Sequence, residues 1–571
     1  MTWWLVDRHR ARAEKAAFAA LQEEHDWLKG VRFKYLEDLQ LCVDVEVTHG
    51  GEKFPLAVRY PATFPDTPPM VVPYGEQRLS AHQYGAGGEL CLQWRPDNWD
   101  SSVTGAMMVE SAHALIEGER PIDDAPATVP SAHKPSLGAE LRFESWRLMV
   151  PQGAWSSLDG KLPELMVEIS LLETARQMNR VTHLRTIGAE GNEFWKSHQP
   201  APANAANRTG YLLRTEQDMS HLALYPGGVV EDLAKSVPEL AATLVKPDWT
   251  FLILVEANGR KTAFDILRNK DGMPLLIPYR IIEEGELVRR SASNREAIGK
   301  SRVAIVGCGS IGSKVAASLA RAGLRKFVLV DDDIFLTGNL VRNELDARAI
   351  GWHKAEALRD RIEHMVSDAD VVTRRVALGS QDAAATMEST LEVIGECDLI
   401  VEATANATSF NLSAGAAKRH RKPMVWAEIF GGGVGGIVAR ARPDVDPVPL
   451  AARNEIVSWC EDRGVPWDGG EGDSYDLDRN CGPPFIADDA DVSVIAAHTA
   501  RFVIDILQGG ETAFPYSAYA IGMAKEWIFA APFDTWPIAF RPADPWDPQV
   551  EDAAGEDIFP FFAEMFNEEH P

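Results

Sequence analysis

Two stretches of this chain carry residues whose types and spacing could do chemistry. In VAIVGCGSIGSKVAASLARAGLRKFVLVDDD (303–333), Gly307, Gly309 and Gly312 stand at G-x-G-x-x-G spacing between a short apolar strand and an apolar-periodic helix. Glycines there permit a tight turn and close approach of backbone to phosphate, and the helix N-terminus adds unpaired N–H donors and the positive end of a dipole. The next strand, KFVLVD, ends in Asp331, at the distance where an acidic side chain takes hydrogen bonds from ribose hydroxyls. So far a dinucleotide oxidoreductase would fit equally well. Asn339, Arg342 and Lys354 then follow within one turn-rich segment, from which side chains can return to bound phosphates. Attack of a carboxylate on an α-phosphate needs such a cluster, because two anions meet and charge builds on the phosphoryl oxygens. The second stretch, GGELCLQWRPDNW (87–99), presents Cys91. A thiolate takes up an activated acyl group readily, and the thioester keeps enough free energy to pass it on. The bland alternative for Cys91 is a small buried apolar residue.

The elements that must position these residues read as several domains. At 571 residues the chain exceeds a single core. Its formal charge of −27 repels phosphate backbones and anionic membrane surfaces, which argues against nucleic acid and membrane as partners. Six widely spaced cysteines with no C-x-x-C pair suit the cytoplasm better than a disulfide framework or a thiolate zinc site. No signal peptide or membrane span is expected. Residues 9–28 have helical periodicity. The alternation Val43, Val45, Val47, then Gly-Gly, then Leu56, Val58, Tyr60 predicts an antiparallel hairpin. The Pro-rich crossing 60–73 is expected to end that sheet, and a helix is expected over 104–118. Residues 121–138 read as a linker, 139–290 as a middle region of mixed strand and helix signals to which no chemistry can be assigned, and 291–536 as a parallel α/β domain. The acidic, proline-interrupted 537–571 reads as a tail that docks on the body or binds a partner. The glycine run 430–440 reads as a bend with close backbone packing.

The order G-x-G-x-x-G, D-x-D, N-L-x-R, G-x-x-K over about 301–510 resembles the ThiF/MoeB superfamily and the adenylating domain of ubiquitin-activating enzymes. That resemblance implies a Rossmann-like adenylation domain using ATP and Mg²⁺. Asp331 would hold ribose, Arg342 and Lys354 the triphosphate, and Asn339 would orient phosphate or metal. The family's metal-binding aspartate in C-T-D-N corresponds to Ala405 in VEATANATSF, leaving Asp333 or Glu402 as candidate metal ligands. Residues 10–118 resemble the α+β ubiquitin-conjugating fold: hairpin, Y-P…P-P, His82, G-x-L-C-L with Cys91, then Trp99. The usual H-P-N triplet reads His82-Gln83-Tyr84, so Tyr84, Asn98 or a backbone amide would have to support the oxyanion.

Cys481, in a loop just before a long apolar-periodic helix, resembles the catalytic-cysteine segment of the activating superfamily. Cys460 is its rival, and direct transfer to Cys91 is the third possibility. Cys42, Cys308 and Cys397 read as packing residues. A conjugating-type module followed by an activating-type module resembles bacterial fusions of antiviral defence systems such as CBASS. The expected partners are a ubiquitin-like protein or a nucleotidyltransferase C-terminus as acyl donor, a target protein as acceptor, and a second copy in a homodimer, with Arg289, Arg290 or Arg295 acting across it. An inactive scaffold that binds a ubiquitin-like partner and a MoeB-like sulfur-carrier activator are the alternatives.

Overall fold

The computed structural model describes residues 2–571 except 75–78, 81, 85–86, 122–136, 143, 161–164, 200, 203, 216–250, 257, 269, 271–273, 285–294, 367, 381–382, 431–432, 466–486, 542–545 and 547–571. The chain divides into two compact units, Met1–Glu144 and Ser145–Pro571.

In the first unit, α1 (Trp3–Val6) and α2 (Arg8–Glu24) precede a four-stranded antiparallel sheet of β1 (Leu28–Tyr35), β2 (Leu41–His49), β3 (Glu52–Arg59) and β4 (Met70–Pro73) in sequential order. Asp7 accepts from Arg10 N–H and caps α2, which stops at His25, short of the expected end at 28, because Leu28 already opens β1. Gly50 and Gly51, with φ of +58° and +83°, make the two-residue turn of the β2–β3 hairpin. The crossing 60–73 does not end the sheet as its prolines suggested. Beyond them Val71 and Val72 are buried, and β4 pairs with β3. A short pair, β5 (Gln83–Tyr84) with β6 (Glu89–Leu90), leads to α3 (Gly105–Glu119), capped by Thr104, and a one-turn α4 (Leu137–Glu140) follows. One buried carboxylate ties this unit together. Glu14 accepts from Tyr60 OH (2.6 Å), Gly105 N–H (2.8 Å) and Arg10 (3.0 Å), joining α2 to the end of β3 and the start of α3.

The second unit holds two eight-stranded sheets. The first runs β10 (Trp195–Lys196), β9 (Asn179–Ile187), β7 (Trp146–Val150), β14 (Pro274–Glu283), β13 (Lys261–Arg268), β12 (Phe251–Glu256), β11 (Ala206–Thr215) and β8 (Leu165–Arg176). Because β8 also pairs with β9, all of its strands but β10 close into a barrel. Strand alternation turns Leu148, Leu171, Leu184, Ile253 and Tyr279 into one buried cluster. At one level of that barrel Arg208 bridges Glu173 (2.6 Å) and Asp265, while Arg180 (3.2 Å) and Tyr279 OH (3.1 Å) also reach Glu173. Burial and the neighbouring carboxylates push the Tyr279 phenol up.

The second sheet has the order β17-β16-β15-β18-β19-β20-β21-β22. Its parallel strands are β15 (Arg302–Val306), β16 (Lys326–Val330), β17 (Asp370–Arg374), β18 (Leu399–Glu402) and β19 (Met424–Phe430), and the antiparallel ones are β20 (Gly435–Ala441), β21 (Ala518–Gly522) and β22 (Thr535–Ile538). Its helices are α5 (Arg295–Lys300), α6 (Ser310–Ala322), α7 (Lys354–Met365), α8 (Ala384–Gly395), α9 (Ala407–His420), α10 (Pro449–Glu461) and α11 (Asp489–Gln508). Within the glycine run, a Cβ at Gly436 would fall 2.6 Å from Ile495 of α11, the close packing its composition suggested. Trp546, from the acidic tail, is buried and donates to Asp446 O (2.8 Å). No helix of the described residues is long and apolar enough to cross a membrane.

Two predictions test this packing. Arg208→Met removes the closer of the two cations shared by Glu173 and Asp265, leaving them Arg180 at 3.2 and 3.9 Å, and is expected to cost about 3 kcal/mol in urea unfolding, whereas Arg280→Met, on the same sheet, should change little. In the first unit, His113 stacks on Trp27 (4.0 Å) beside His25 and His49. Burial lowers its pKa, with the two imidazoles adding repulsion and Glu117 opposing. Its neutral form therefore favours the fold above the ordinary histidine pKa of about 6.5, and that contribution is lost as pH falls below it. His113→Gln should lose less thermal stability than the native chain between about pH 7.5 and about pH 5.5; an equal loss would contradict the assignment.

Candidate functional site

The carboxyl ends of β15, β16 and β18 meet where the strand order reverses, which is where open parallel sheets hold ligands. A cleft of about 940 Å³ opens there. Gly307 leaves β15 with φ of +88°, and a Cβ would come within 2.9 Å of Ala403 and Thr404. Gly309 precedes α6, and a Cβ there would meet nothing within 4 Å, so bare backbone borders the open cleft. Gly312 does not line the cleft. A Cβ on it would fall 1.8 Å from Gly307 O, so its lack of side chain lets α6 close onto the turn.

The turn is held from both sides at Cys308. Its N–H donates to Asp331 Oδ2 (2.7 Å), and its carbonyl accepts from Asn343 Nδ2 (3.3 Å). Asp331 Oδ1 also accepts from Asp333 N–H (2.9 Å). Burial pushes the Asp331 carboxyl above its usual pKa, against the pull of those N–H groups and Lys354. Asp331 thus shapes the turn while still lining the cleft. Asn343, which also lines it, was missed from sequence because its partner is a backbone carbonyl 35 residues earlier.

Lys354 returns to this place because the intervening loop is pinned. Buried Phe335 donates its N–H to Trp352 O (2.8 Å) and accepts from Gly351 N–H (2.9 Å), and Lys354 N–H donates to Asp333 O (2.9 Å). The Lys354 ammonium then pairs with the Asp333 carboxylate. Asn339 Oδ1 accepts from Leu336 N–H (2.8 Å), capping the single turn Thr337–Val341 that Arg342 ends. Asp333, Asn339, Arg342 and Lys354 all line the cleft with Gly307, Gly309 and Asp331.

Glu402 is placed differently. It is buried at the end of β18, does not border the cleft, and its carboxylate accepts from both the N–H (3.0 Å) and the hydroxyl of Thr404. Burial pushes its pKa up to about 7, with Glu428 adding repulsion and Thr404 and Arg453 opposing. Ala405, where the resembled family has an aspartate, takes φ of +55° and offers no side-chain oxygen. Asp333 is engaged by Lys354, so these residues do not fit a cation held between two carboxylates, and Glu402 acts instead as a brace under the 403–406 turn. Among the described residues no group of three or more His, Cys, Asp or Glu could hold a metal.

In the first unit, Leu90 at the end of β6 and Leu92 beyond it are buried, and Cys91 between them is half-buried. Cys91 N–H donates to His82 O (2.7 Å), and His82 Nε2 lies 3.7 Å from Glu119. Partial burial raises the Cys91 thiol, with Arg95 opposing. Asn98 braces the loop with both ends of its amide, accepting from Arg95 N–H (2.7 Å) and donating to Gln93 O (2.9 Å). Trp99 donates to Pro65 O (2.8 Å). Cys42, Cys308, Cys397 and Cys460 are buried. Burial pushes Cys460 up to about 11 and Cys397 to about 12, which disfavours a thiolate at either. Cys481, Arg289 and Arg290 lie outside the described residues, and Arg295 opens α5.

The ThiF family model matches residues 284–504. The chain is 23% identical over 487 residues to the uncharacterized protein y4qC of Sinorhizobium fredii, covering 78% of this chain and 82% of that one. It is 34% identical over 128 residues to the adenylyltransferase and sulfurtransferase MOCS3 of Aedes aegypti, covering 22% and 28%. It is 29% identical over 127 residues to the ATP-dependent ubiquitin transferase-like protein Cap2 of Pseudomonas aeruginosa, covering 22% and 21%. A crystal structure of E. coli MccB with AMPCPP and MccA aligns at 17% identity and a TM-score of 0.33, over 43% of this chain and 66% of that one. Residues 284–504 of this mixed α/β chain are thus a ThiF-family domain.

Proposed function

We propose that this chain is an ATP-dependent protein-conjugating enzyme. A partner's C-terminal carboxylate is activated in the ThiF-family domain and carried as a thioester, finally on Cys91. The observation that carries the reading is the cleft itself: bare backbone at Gly309, the helix N-terminus behind it, and Arg342 and Lys354 facing the same space. These are the groups that let one anion attack another. The likeness to Cap2 and MOCS3 supports the same chemistry.

In the first step a carboxylate oxygen of the donor forms a bond to the α-phosphorus of ATP and pyrophosphate leaves. Asp331 holds ribose, and Asn339, Arg342 and Lys354 hold the polyphosphate. Of the two residues the resemblance offers to Mg²⁺, Asp333 borders the cleft and Glu402 does not. In the second step a cysteine thiolate forms a C–S bond to the acyl carbon and AMP leaves. Cys481 is suited to that role by position. Six peptide links separate it from Ala487, which lines the cleft, so its reach is at most about 21 Å. Thioester exchange then moves the acyl group to Cys91, and a target amine takes it with loss of the thiol. Joining both cysteines in one chain raises their effective concentration. The donor would be a ubiquitin-like protein or a nucleotidyltransferase tail, the setting cytoplasmic antiviral defence, and the working form a homodimer. A sulfur-carrier activator is the second reading, favoured by the likeness to MOCS3, but it gives Cys91 and its turn no task.

Two measurements test this. In equilibrium titration with ATP, Arg342→Ala and Lys354→Ala should each bind at least about tenfold more weakly, as loss of a charged contact implies, while Cys91→Ala binds normally; unchanged affinity in both cleft variants would contradict the site. With ATP and the donor, Cys91 should carry an adduct that thiol reductant releases, Cys91→Ser should carry a reductant-resistant one, and Cys481→Ala should abolish both. An adduct on Cys91 that persists in Cys481→Ala would remove that cysteine from the route.

A further inference from the structure

One wall of the cleft is the start of α11. Ala487, just before that helix, and Val492, in its first turn, both line the cleft. Between them Asp489 Oδ1 pairs with the Lys314 ammonium at 2.8 Å. Lys314 is the fifth residue of α6, the helix that begins at the glycine turn, and its side chain is 13% exposed against 50% for Asp489. A covered ammonium so near a helix N-terminus is opposed both by lost hydration and by the helix dipole. Asp489 offsets both, and as an acid in the first turn of α11 it also suits the dipole of its own helix.

The same turn also meets the glycine run. Gly433 has φ of +106°, and a Cβ on it would fall 3.0 Å from Asp491 Oδ2 and 3.3 Å from Ala487 Cβ, so the bare backbone of the run lies close against the helix start. The start of α11 is thus held by both α6 and the glycine run. Residues 466–486, Cys481 among them, lie outside the described residues and join the chain at Ala487. The two holds therefore fix the point from which Cys481 has to reach an acyl group. A sulfur and an acyl carbon react from about 3–3.5 Å apart, and a misplacement of about 1 Å can cost about 10²-fold in rate.

We propose that Lys314 is a positioning residue for acyl transfer: its pair with Asp489 registers the start of α11, and with it the cysteine-bearing segment, to the helix behind the glycine turn. This rests on the reading of Cys481 as the first acyl acceptor. Lys314 does not border the cleft, so its replacement leaves the nucleotide contacts in place. An ion pair with a half-exposed partner contributes little to stability. Its loss is therefore read in the geometry of transfer and not in unfolding.

The test uses the full chain and needs no donor protein. An adenosine 5′-vinylsulfonamide carries an electrophilic carbon close to where an acyl-adenylate has its carbonyl. The Cys481 thiolate adds to the terminal vinyl carbon, a C–S bond forms, and the carbon beside the sulfonyl group takes a proton from water, so no group leaves. Mass spectrometry follows labelling of Cys481, and its dependence on probe concentration separates binding from the maximal rate. Lys314→Met combined with Asp489→Asn removes the pair without changing net charge; it should label about tenfold more slowly at saturation, with native half-saturation and native thermal unfolding. The exchanged pair, Lys314→Asp with Asp489→Lys, should recover at least about threefold of that loss. Lys300→Met with Glu296→Gln, which removes an exposed pair on α5, should match the native chain. The proposal is overturned if the neutralised pair keeps the native maximal rate, if its half-saturation shifts instead, if the exchanged pair reacts no faster than the neutralised one, or if iodoacetamide alkylates Cys481 equally more slowly without nucleotide. If the probe competes with ATP on the native chain yet leaves Cys481 unlabelled, the reading of Cys481 falls and the proposal with it; if neither ATP nor the probe binds, the ATP reading of the cleft falls too.

Discussion

The carboxylate of Asp331 is the constraint on which the second unit's site depends. It stands just after β16, and its two oxygens hold N–H groups from two different segments, Cys308 in the glycine turn and Asp333 at the head of the returning loop. Together with the Asn343 bond to the Cys308 carbonyl, that bridge joins the turn after β15 to the loop carrying Asn339, Arg342 and Lys354, behind which Phe335 and Leu345 pack in the core. The geometry explains why burial of an acid is tolerated here: each oxygen takes a short backbone bond, and Lys354 lies close enough to oppose the cost. The bare N–H groups of the turn and the cations of the loop consequently face one space.

Much of this was legible in the sequence where the signal is local. The glycine spacing, the apolar run of β15 and the amphipathic start of α6 are dictated by neighbours within one turn, and they fell where expected. So did the β2–β3 hairpin, whose Gly-Gly turn and alternating valines specify register. What was illegible depends on partners far apart in the chain. Glu14 reads as an ordinary helix-surface acid until Tyr60 and Gly105 meet it. Glu402 looks like a spare carboxylate beside a metal position, but its side chain is buried and accepts from Thr404, which no local pattern reveals. The middle region gave no pattern because closing a barrel depends on the β8–β9 pairing, which periodicity in one strand does not reveal. Asn343 is a single polar residue with no motif around it; only its bond to the Cys308 carbonyl and its place beside the cleft make it informative.

The cysteines separate by environment. Four are sealed in cores, where burial raises the thiol and prevents ready attack. Cys91 differs in being only half-buried between the buried Leu90 and Leu92, with its backbone bond to His82 O holding that turn. Its thiol is still raised above its usual value, so uptake of an acyl group there would rely on the high reactivity of a thioester donor and on Arg95 rather than on a strongly acidic thiol. Asn98 is committed to bracing its own loop, and support for an oxyanion at Cys91 therefore has to come from another donor.

The central claim, that this cleft activates a carboxyl group, is tested most directly by exchange of labelled pyrophosphate into ATP in the presence of a candidate donor ending in glycine. The account predicts exchange that requires the donor's free C-terminal carboxylate, disappears in Arg342→Ala and persists in Cys91→Ala. Exchange indifferent to that carboxylate, or none with any donor that forms a reductant-labile adduct on Cys91, would contradict it.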